Sequence, residues 1–535
     1  WNEQTTRAVE RMWSGMLGKP KAARFGDFHM HVFGRVGHAV PPIRRLIKRV
    51  LGLLLITRMV PEMARKMAQI NIPKPTGGFR PLSITHDLYA MLTGEITTWF
   101  SDAADRAGLL PNSIAAYRKG LGTPQLTLTQ QCAFEDAHTG GKPLLVLQDD
   151  FQKFYDACMA TFIVLSMQAA GLPPEGYIEW AAEATFNRRI IVVTSVGVTA
   201  ALARAAGFLQ GSAFSCCVVN FVVAVLVMRL WEGVAFTAKA PAGGVAGSAT
   251  DHVTRASYGF NHGGGTVDSA SFCDDNGRFT RRLPDLILMV VLFGIFSLVS
   301  GIGRSAKASY VMAVNVDVQK EMENTAKWTP AEQEIMRKHL TCDTSEEGVK
   351  KWWVRSLAHD REAREGLGKV LQVKIPILTT PVDFKYLGLR DSSWLDSTKH
   401  GAAMAGGATA RLVALLQQDL SFPELVWEYN AAITPLITWL AMQARTPWEK
   451  AKELDVLFTD AARRAGRMAA TDSAHPLFLP DSKPYHGRGA HAATKRWLQT
   501  VAGELDTAVN DEGGLPWKMA NSRLAWARAQ ADERW

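Results

Sequence analysis

Acidic residues stand at two points where a short apolar run meets a turn. Asp150 follows the apolar residues 143–149, and Asp274 and Asp275 adjoin in the run Ser271-Phe-Cys-Asp-Asp-Asn-Gly277. Carboxylate oxygens are the ligands that Mg²⁺ prefers, and adjacent carboxylates repel each other unless a cation or hydrogen bonds compensate. The three aspartates could therefore hold two Mg²⁺ ions, which can activate a hydroxyl nucleophile and stabilise a leaving pyrophosphate. By itself, the Asp-Asp pair is more typical of a solvated hairpin turn.

The elements around these aspartates are predicted from hydrophobic patterns and turn residues. Residues 143–149 are typical of a buried strand that ends at the acidic pair, and Asn276-Gly277 indicates a hairpin turn at Asp274-Asp275. Residues 71–84 contain several Pro and Gly and predict a loop that joins two short strands. Helices are predicted over Pro41–Met67, Ala331–His339, Glu346–Leu357 and 402–470, with a linker over 474–493 before a last helical segment.

The positive charge of the chain is concentrated near its N-terminus. The 535 residues carry 60 Lys+Arg and 51 Asp+Glu, a net charge of +9. Residues 1–80 hold 15 of the basic and 4 of the acidic residues, whereas residues 81–535 hold 45 and 47. This asymmetry favours an N-terminal region that binds a polyanion such as nucleic acid; the alternative is a solvated basic face without a specific partner.

Cysteine usage and apolar stretches bear on the compartment. The six cysteines show no CxxC spacing, so neither a disulfide framework nor a zinc module is indicated, and a reducing, intracellular compartment is expected. Ala205–Met228 and Leu286–Gly303 are long enough to be membrane-span candidates. The first contains several polar residues and the second is bounded by charges, so we expect buried core helices and no membrane.

Six motifs in collinear order, over about residues 70–390, resemble the reverse transcriptases of non-LTR retroelements and group II introns. Two resemble blocks of the fingers, two the first and second palm motifs, one the aromatic-x-Asp-Asp motif and one the primer grip. In that order they are Ile72-Pro-Lys74 with Gly77-Gly-Phe-Arg80-Pro-Leu-Ser-Ile84, Ala116-Tyr-Arg-Lys-Gly-Leu-Gly-Thr123, Asp150-Phe-Gln-Lys-Phe-Tyr-Asp156, Gly207-Phe-Leu-Gln-Gly-Ser-Ala-Phe-Ser215 with Asn220, Phe272-Cys-Asp-Asp275, and Phe384-Lys-Tyr-Leu-Gly388.

The resemblance implies an α+β fold, arranged as a right-hand polymerase. Its palm would be an antiparallel sheet with a ferredoxin-like core plus helices, flanked by fingers and a helical thumb. The implied division is a basic helical N-terminal extension over 1–70, fingers and palm over 71–390, a thumb over 391–473, and a linker and C-terminal segment over 474–535. Insertions are expected at about 238–269 and 317–368.

The resemblance also implies roles for the three aspartates and for one lysine. Asp150, Asp274 and Asp275 would be the catalytic residues that hold two Mg²⁺ ions, for which Mn²⁺ is a possible substitute. Lys307 is a possible general acid that protonates the leaving pyrophosphate. Its match to the family is looser, and a plain surface lysine is the alternative.

The remaining motif residues would bind the substrates. Lys74 and Arg80 would contact the triphosphate of the incoming nucleotide, and Tyr155 would exclude a ribose 2′-hydroxyl and so favour deoxynucleotides. Gln210 and Gly211 would line the nascent base pair. The primer grip would contain Tyr386, Leu387 and Gly388.

The sequence departs from the family pattern at several positions. Cys273 stands where Ala is commonest, and Leu209 and Ala213 replace common prolines. The separation of 64 residues between Gln210 and Asp274 is longer than usual, and a Gly-rich segment occupies the excess. These departures indicate a divergent lineage in which the catalytic groups are retained.

The implied partners are an RNA template, a DNA or RNA primer, dNTPs and the RNA–DNA duplex. Neither an endonuclease domain nor an RNase H carboxylate set is recognisable, so these activities would need missing flanking domains. A eukaryotic retroelement would place the protein in the nucleus, and other origins in the cytoplasm. Two alternatives stay open: an RNA-dependent RNA polymerase, against which Tyr155 argues, and an inactive RNA-binding scaffold, against which the three retained aspartates argue.

Overall fold

The computed structural model shows a mixed α+β protein, and this coarse prediction is confirmed. It describes residues 2–17, 30–73, 78–110, 113–118, 121–186, 188–194, 197–204, 207–209, 212–230, 260–262, 265–267, 269–273, 275–305, 307–344, 348, 350–359, 370–380, 383–386, 389–392, 398–418, 420–438, 448–465 and 492–510.

Helices and strands are interspersed along the described residues. The helices are α1 Glu3–Leu17, α2 Met30–Ala39, α3 Pro41–Thr57, α4 Asp87–Arg106, α5 Thr123–Gly140, α6 Phe154–Ala157, α7 Ala160–Ala169, α8 Glu179–Thr185, α9 Ala213–Ala224, α10 Leu283–Ser300, α11 Val318–Glu323, α12 Pro330–His339, α13 Thr398–Leu416, α14 Phe422–Glu428, α15 Thr434–Thr438, α16 Trp448–Ala465 and α17 Ala493–Asn510. The strands are β1 Lys66–Pro73, β2 Phe79–Thr85, β3 Leu144–Asp149, β4 Phe151–Gln152, β5 Arg188–Thr194, β6 Gly197–Val198, β7 Leu202–Arg204, β8 Phe260–His262, β9 Gly265–Val267, β10 Ser269–Phe272, β11 Asp275–Thr280, β12 Gly303–Arg304, β13 Tyr310–Val314, β14 Leu340–Thr344, β15 Lys350–His359, β16 Val370–Leu378, β17 Asp383–Tyr386 and β18 Leu389–Ser392.

The basic helix α3 begins at two prolines and ends earlier than the sequence predicts. Proline is well tolerated in the first helical turn, where its missing N–H would have no intrahelical partner. Arg58 takes the left-handed conformation (φ 57°), and its N–H caps the helix by donating to the Leu54 carbonyl. The predicted helix Pro41–Met67 is therefore wrong beyond Thr57, because Lys66 and Met67 already belong to β1.

A five-stranded sheet contains the predicted hairpin near residue 75. Strand β1 pairs antiparallel with β2, with Ile72 opposite Arg80, and it runs parallel to β5. The order is β2-β1-β5-β6, and β7 also pairs with β5. The two predicted strands are present, but they extend further into residues 71–84 than expected, since only 74–78 separate them.

The candidate acidic site lies on a second sheet of seven strands. Its order is β10-β11-β3-β13-β16-β15-β14. Strand β3 is buried at all six positions, as predicted from its apolar run, and pairs antiparallel with β11 on one side and β13 on the other. Because β3 is central, its C-terminal end is fixed by two neighbours.

The predicted helix over Glu346–Leu357 is wrong, although the predicted helix over Ala331–His339 is confirmed by α12. Strand β15 occupies most of this range and pairs with β14 and β16 on its two edges. Its burial alternates with a period of two, which fits a pleated strand, and Gly348 before it has a left-handed φ of 77°. The residues buried on its inner face are Val354, Ser356 and Ala358.

Both long apolar stretches form helices that pack inside the protein. Of the described helices, α10 alone is long and apolar enough to cross a membrane, and 72% of it is buried by the rest of the chain. It packs closely on β15, because a Cβ on Gly294 would lie 2.6 Å from the Ser356 hydroxyl oxygen. Helix α9 and the π-helical turn Val225–Leu230 cover most of the other stretch.

The C-terminal helices have a hydrophobic core of their own. As predicted for 402–470, helices α13 to α16 dominate this region, and α17 follows as the expected last helical segment. Their buried side chains form one cluster that includes Leu412, Tyr429, Phe458 and Trp497. The N-terminal helix α1 behaves differently, because its Met12 and Trp13 are part of the core cluster that also contains β3 and α10.

Candidate active site

Two of the three predicted metal ligands begin or follow neighbouring strands. Asn276 of β11 stands opposite Asp149 of β3. Asp275 and Asp150 each stand one residue beyond this last pair of the ladder. Asp150 is half-buried and Asp275 is exposed, so both carboxylates can reach solvent or a ligand.

The predicted hairpin before Asp275 is present, with a different turn from the one expected. Phe272 of β10 pairs with Asp275 of β11, so the hairpin turn begins at Cys273. Asn276 and Gly277 lie inside β11 instead of beside a turn. Cys273 has a positive φ of 56°, as tight hairpin turns require. Asp274 itself lies outside the described residues.

A buried polar network lies directly behind Asp150. The Arg304 guanidinium donates from Nε to Asp149 Oδ1 at 2.9 Å, and its Nη2 makes an ion-pair contact of 2.5 Å with Oδ2. Ser309 Oγ donates to Asp149 Oδ1 at 2.6 Å and accepts from the Asp150 N–H at 3.1 Å. Burial raises the pKa of Asp149, although Arg304 and Ser309 oppose the shift. The network thus joins a fully buried charge pair to the backbone of a predicted metal ligand.

The loop that carries Lys307 is attached to the same residue. The N–H of Ser305 donates to the Asp150 carbonyl at 2.9 Å, and the N–H of Ser309 donates to the Ser305 carbonyl at 2.9 Å. Lys307 is exposed between these anchors. The predicted general acid therefore lies on a loop fixed to Asp150.

Tyr155 lies beside the turn that precedes Asp275. It belongs to the short helix α6, and its side chain hydrogen-bonds with Cys273 and with Tyr117. Burial raises the pKa of Tyr155, and Cys273 and Tyr117 raise it further, so its phenol stays neutral. Its ring also packs edge-on against Phe208, with ring centroids 6.0 Å apart. Tyr155, the predicted sugar-selecting residue, is thus held beside the turn before Asp275 by its contacts with Cys273, Tyr117 and Phe208.

The second palm motif is described except at its two predicted base-pair contacts. Gln210 and Gly211 lie outside the described residues. The preceding segment is fixed, because the N–H of Gly207 donates to the Cys158 carbonyl at 2.7 Å. Asn220 on α9 donates to the Ala116 carbonyl at 2.6 Å, which links this motif to the block 116–123.

The predicted triphosphate and primer contacts are only partly described. Arg80 is exposed on β2 of the five-stranded sheet, whereas Lys74 lies outside the described residues. Tyr386 ends β17, which pairs with β18, and Leu387 and Gly388 lie outside the described residues. The structure therefore places Asp150, Asp275, Tyr155 and Lys307 around one strand end and Arg80 on a different sheet, whereas Lys74, Gln210, Gly211, Asp274, Leu387 and Gly388 lie outside the described residues.

The donor chemistry of the site fits a hard divalent cation. Asp150 and Asp275 offer carboxylate oxygens at neighbouring strand ends, as Mg²⁺ sites in proteins require. Burial, together with the negative charge of Asp275, raises the pKa of Tyr310 to about 12. No group of three His, Cys, Asp or Glu that could hold a metal occurs within the described ranges, which do not include Asp274.

Sequence reasoning missed the residues that support the site. The sequence pattern indicates only that Asp149 ends a strand, and it predicts no role for Arg304 or Ser309. Arg304 and Ser309 lie 155 and 160 residues from Asp149, and no local pattern predicts such contacts. One signal was available: an acidic residue at the end of an apolar strand needs a buried partner.

Within the described residues, the site consists of Asp150, Asp275, the neutral Tyr155 and the loop that carries Lys307, near the C-terminal end of β3. No family model matches the chain, and no curated protein matches it. What the chain does must therefore be inferred from its motifs and from this geometry.

Proposed function

We propose that the chain is an RNA-directed DNA polymerase with the right-hand arrangement of fingers, palm and thumb. In this proposal the five-stranded sheet with the β1–β2 hairpin belongs to the fingers, and the seven-stranded sheet is the palm. Helices α13 to α16, with their separate core, form the thumb. The natural template is RNA, and the substrates are dNTPs and a DNA or RNA primer.

One observation carries the proposal. Asp150 and Asp275 are 125 residues apart in the sequence, yet each lies one residue beyond the same strand pair, Asn276–Asp149, and Tyr155 lies against the turn between β10 and β11. A solvated hairpin turn gives no reason for this convergence. A polymerase site requires it, because acidic residues and a sugar contact must surround one nucleotide.

The proposed reaction is the transfer of a nucleotidyl group. The primer 3′-oxygen forms a bond to the α-phosphorus of the dNTP, and the bond from that phosphorus to the bridging α–β oxygen breaks. Two Mg²⁺ ions, when bound, would lower the pKa of the 3′-hydroxyl and neutralise charge on the departing pyrophosphate. Asp150, Asp275 and Asp274 would hold them, and Lys307 would donate a proton to pyrophosphate.

Tyr155 would select deoxynucleotides by occupying the space of a ribose 2′-hydroxyl. Its neutral phenol is hydrogen-bonded to Cys273 and Tyr117, so the ring is held in one place. Replacing Tyr155 with Val should increase rNTP incorporation relative to dNTP incorporation by about tenfold or more, because the smaller side chain leaves room for the 2′-hydroxyl. Tenfold corresponds to about 1.4 kcal/mol in the relative activation free energy. An unchanged ratio would contradict this role.

The basic N-terminal helices would bind the template or the RNA–DNA duplex through phosphates. Arg45 and Arg49 are exposed on α3, and none of the ion pairs among the described residues involves them. Free surface guanidinium groups are well suited to phosphate oxygens.

The proposal is tested by primer extension on an RNA template with dNTPs and Mg²⁺. The wild-type chain should extend the primer, and Asp150→Asn and the double variant Asp274→Asn/Asp275→Asn should each lose on the order of 10³-fold in rate, as expected for loss of a metal ligand. Asp460→Asn is the matched control, because Asp460 lies on α16 with an exposed side chain.

The outcomes separate the proposal from its alternatives. A wild-type chain that binds RNA and incorporates no nucleotide would overturn the proposal in favour of an inactive scaffold. Preferential incorporation of rNTPs would instead favour an RNA-dependent RNA polymerase. Retained activity in the aspartate variants would place the chemistry elsewhere.

A further inference from the structure

A buried serine and a buried ion pair connect Asp150 to the Lys307 loop. Asp149, Arg304 and Ser309 are each at most 3% exposed, and they come from β3, from β12 and from the residue before β13. Buried charges are tolerated when they are paired and hydrogen-bonded. We call Asp149, Arg304 and Ser309 the Asp149 bracket.

Both backbone polar groups of Asp150 are bound to the two ends of one loop. The N–H donates to Ser309 Oγ at 3.1 Å, and the carbonyl accepts from the Ser305 N–H at 2.9 Å. Lys307 lies two residues from each end, so its Cα is within about 7.6 Å of both anchor Cα atoms. Any shift of Ser309 would therefore move Lys307 and Asp150 relative to each other.

Arg304 connects the other two residues of the bracket to the core behind the sheet. Its Nη1 donates to the Val290 carbonyl on α10 at 2.8 Å and to Ser356 Oγ on β15 at 2.9 Å. Ser356 donates in turn to the same Val290 carbonyl at 2.8 Å. The position of Asp149, and through Ser309 that of Asp150, thus depends on a helix and a strand that have no residue in the candidate site.

We propose that Asp149, Arg304 and Ser309 are positioning residues, which hold Asp150 in the geometry for metal binding and fix the Lys307 loop beside it. The inference rests on the proposed function in assigning Asp150 and Lys307 their roles. All three are buried, so they would act through Asp150 and the Lys307 loop and not by touching substrate. Removal of a group that orients a metal ligand typically weakens metal affinity by about 10–100-fold.

Ser309→Ala tests the proposal, with Ser305→Ala as the matched control. Ser309→Ala removes the hydroxyl that joins Asp150 to Asp149, whereas Ser305 contributes its backbone N–H and carbonyl, which Ala keeps. Binding of Mn²⁺ to the chain without nucleic acid, followed by the EPR signal of the free ion, reports on the site without requiring catalysis. Ser309→Ala should bind Mn²⁺ about tenfold more weakly, and Ser305→Ala should match the wild type.

A double-mutant cycle tests the link to Lys307. If Ser309 positions Lys307, the losses in primer-extension rate from Ser309→Ala and Lys307→Ala should not be additive, because the second change removes a group that is already misplaced. Ser309→Cys, which keeps a weak donor and acceptor, should restore part of both the Mn²⁺ affinity and the rate.

The results distinguish positioning from a purely structural role. Unchanged Mn²⁺ affinity in Ser309→Ala, or fully additive losses with Lys307→Ala, would overturn the proposal even if the melting temperature fell. If the wild-type chain binds Mn²⁺ but makes no DNA, the polymerase proposal fails while the binding comparison still supports or refutes the Asp149 bracket.

Discussion

The Asp149 bracket and the basic face of α3, which consists of Arg45 and Arg49, place charge in opposite surroundings. The side chains of Asp149 and Arg304 have no exposed surface. Arg304 also donates hydrogen bonds to Val290 on α10 and Ser356 on β15. Arg45 and Arg49 on α3 face solvent and make no ion pair within the described residues. The bracket has both of its charges paired inside the protein, whereas Arg45 and Arg49 are paired with no acidic residue of the described part of the chain.

The difference follows from the dielectric surroundings of each region. A buried charge is stabilised by fixed partners over short distances and is hardly screened by salt, whereas exposed charges are screened within about 10 Å at 0.1 M salt. The bracket is thus suited to setting the geometry of Asp150. The α3 face is suited to attracting a polyanion whose exact position can vary.

The largest effect is expected from breaking the buried pair. Arg304→Met keeps much of the side-chain volume but leaves the Asp149 carboxylate without its cation, which should destabilise the fold by about 3–5 kcal/mol. Urea denaturation at low and high salt measures the loss, which should be nearly independent of salt.

The control removes both charges. Arg304→Met/Asp149→Leu leaves no unpaired buried charge and should recover part of the stability lost in Arg304→Met. A single variant within about 1 kcal/mol of wild type would mean that the pair behaves like a surface pair, and the contrast between the two regions would disappear.

A smaller effect is expected where α10 approaches the strand that supports the bracket. A Cβ on Gly294 would lie 2.6 Å from Ser356 Oγ and 2.7 Å from the Leu357 carbonyl oxygen, so Gly294→Ala must push β15 away. Overpacking of this kind costs about 1–3 kcal/mol. Gly94→Ala on α4 is the matched control: nothing lies within 4 Å of its Cβ, and it should be neutral or stabilising by up to about 1 kcal/mol. Equal unfolding midpoints for the two variants would contradict the close packing.

The same contrast explains which features the sequence could predict. Strand β3 was predictable because its run of apolar residues is local, and α12 because its helical pattern is local, as its Thr329–Glu332 capping box also is. The Asp149–Arg304 contact joins residues 155 positions apart, so no local pattern contains it.

The wrong prediction for β15 has a similar cause. Its aromatic residues are typical of strands but its charged residues are not, and pairing with β14 and β16 determines its conformation. The basic excess before residue 80 was predictable from composition, whereas the exposure of Arg45 and Arg49 depends on which face of α3 packs on the core.

On the α3 face, the expected change is in RNA binding and not in folding. Arg45→Gln/Arg49→Gln should weaken RNA binding about tenfold and reduce the slope of log affinity against log salt by about 1–2, because two phosphate contacts are lost. Fluorescence anisotropy over a range of salt concentrations measures both quantities.

Substitution of single residues is preferable to deletion of the N-terminus. Removing residues 1–60 would also remove Met12, Trp13 and Leu55 from the main core, and loss of binding could then reflect unfolding. Lys320→Gln, at an exposed basic residue of α11 outside the α3 face, is the control and should leave the salt slope unchanged. A slope that stays at the wild-type value in the double arginine variant would exclude this face as the phosphate-binding surface.

The smallest effect is expected at an exposed ion pair between α3 and α1. Lys48 Nζ lies 2.6 Å from Glu10 Oε2, with 24% and 55% of the two side chains exposed. Solvent screening and side-chain entropy offset most of the attraction, so a double-mutant cycle with Lys48→Met and Glu10→Gln should give a coupling energy of about 0.2–1 kcal/mol. The coupling should shrink further in 1 M salt, where charges are screened within about 3 Å. A salt-independent coupling above about 2 kcal/mol would show that α3 holds this pair as firmly as the core holds Asp149, and charge burial would then no longer distinguish the two regions.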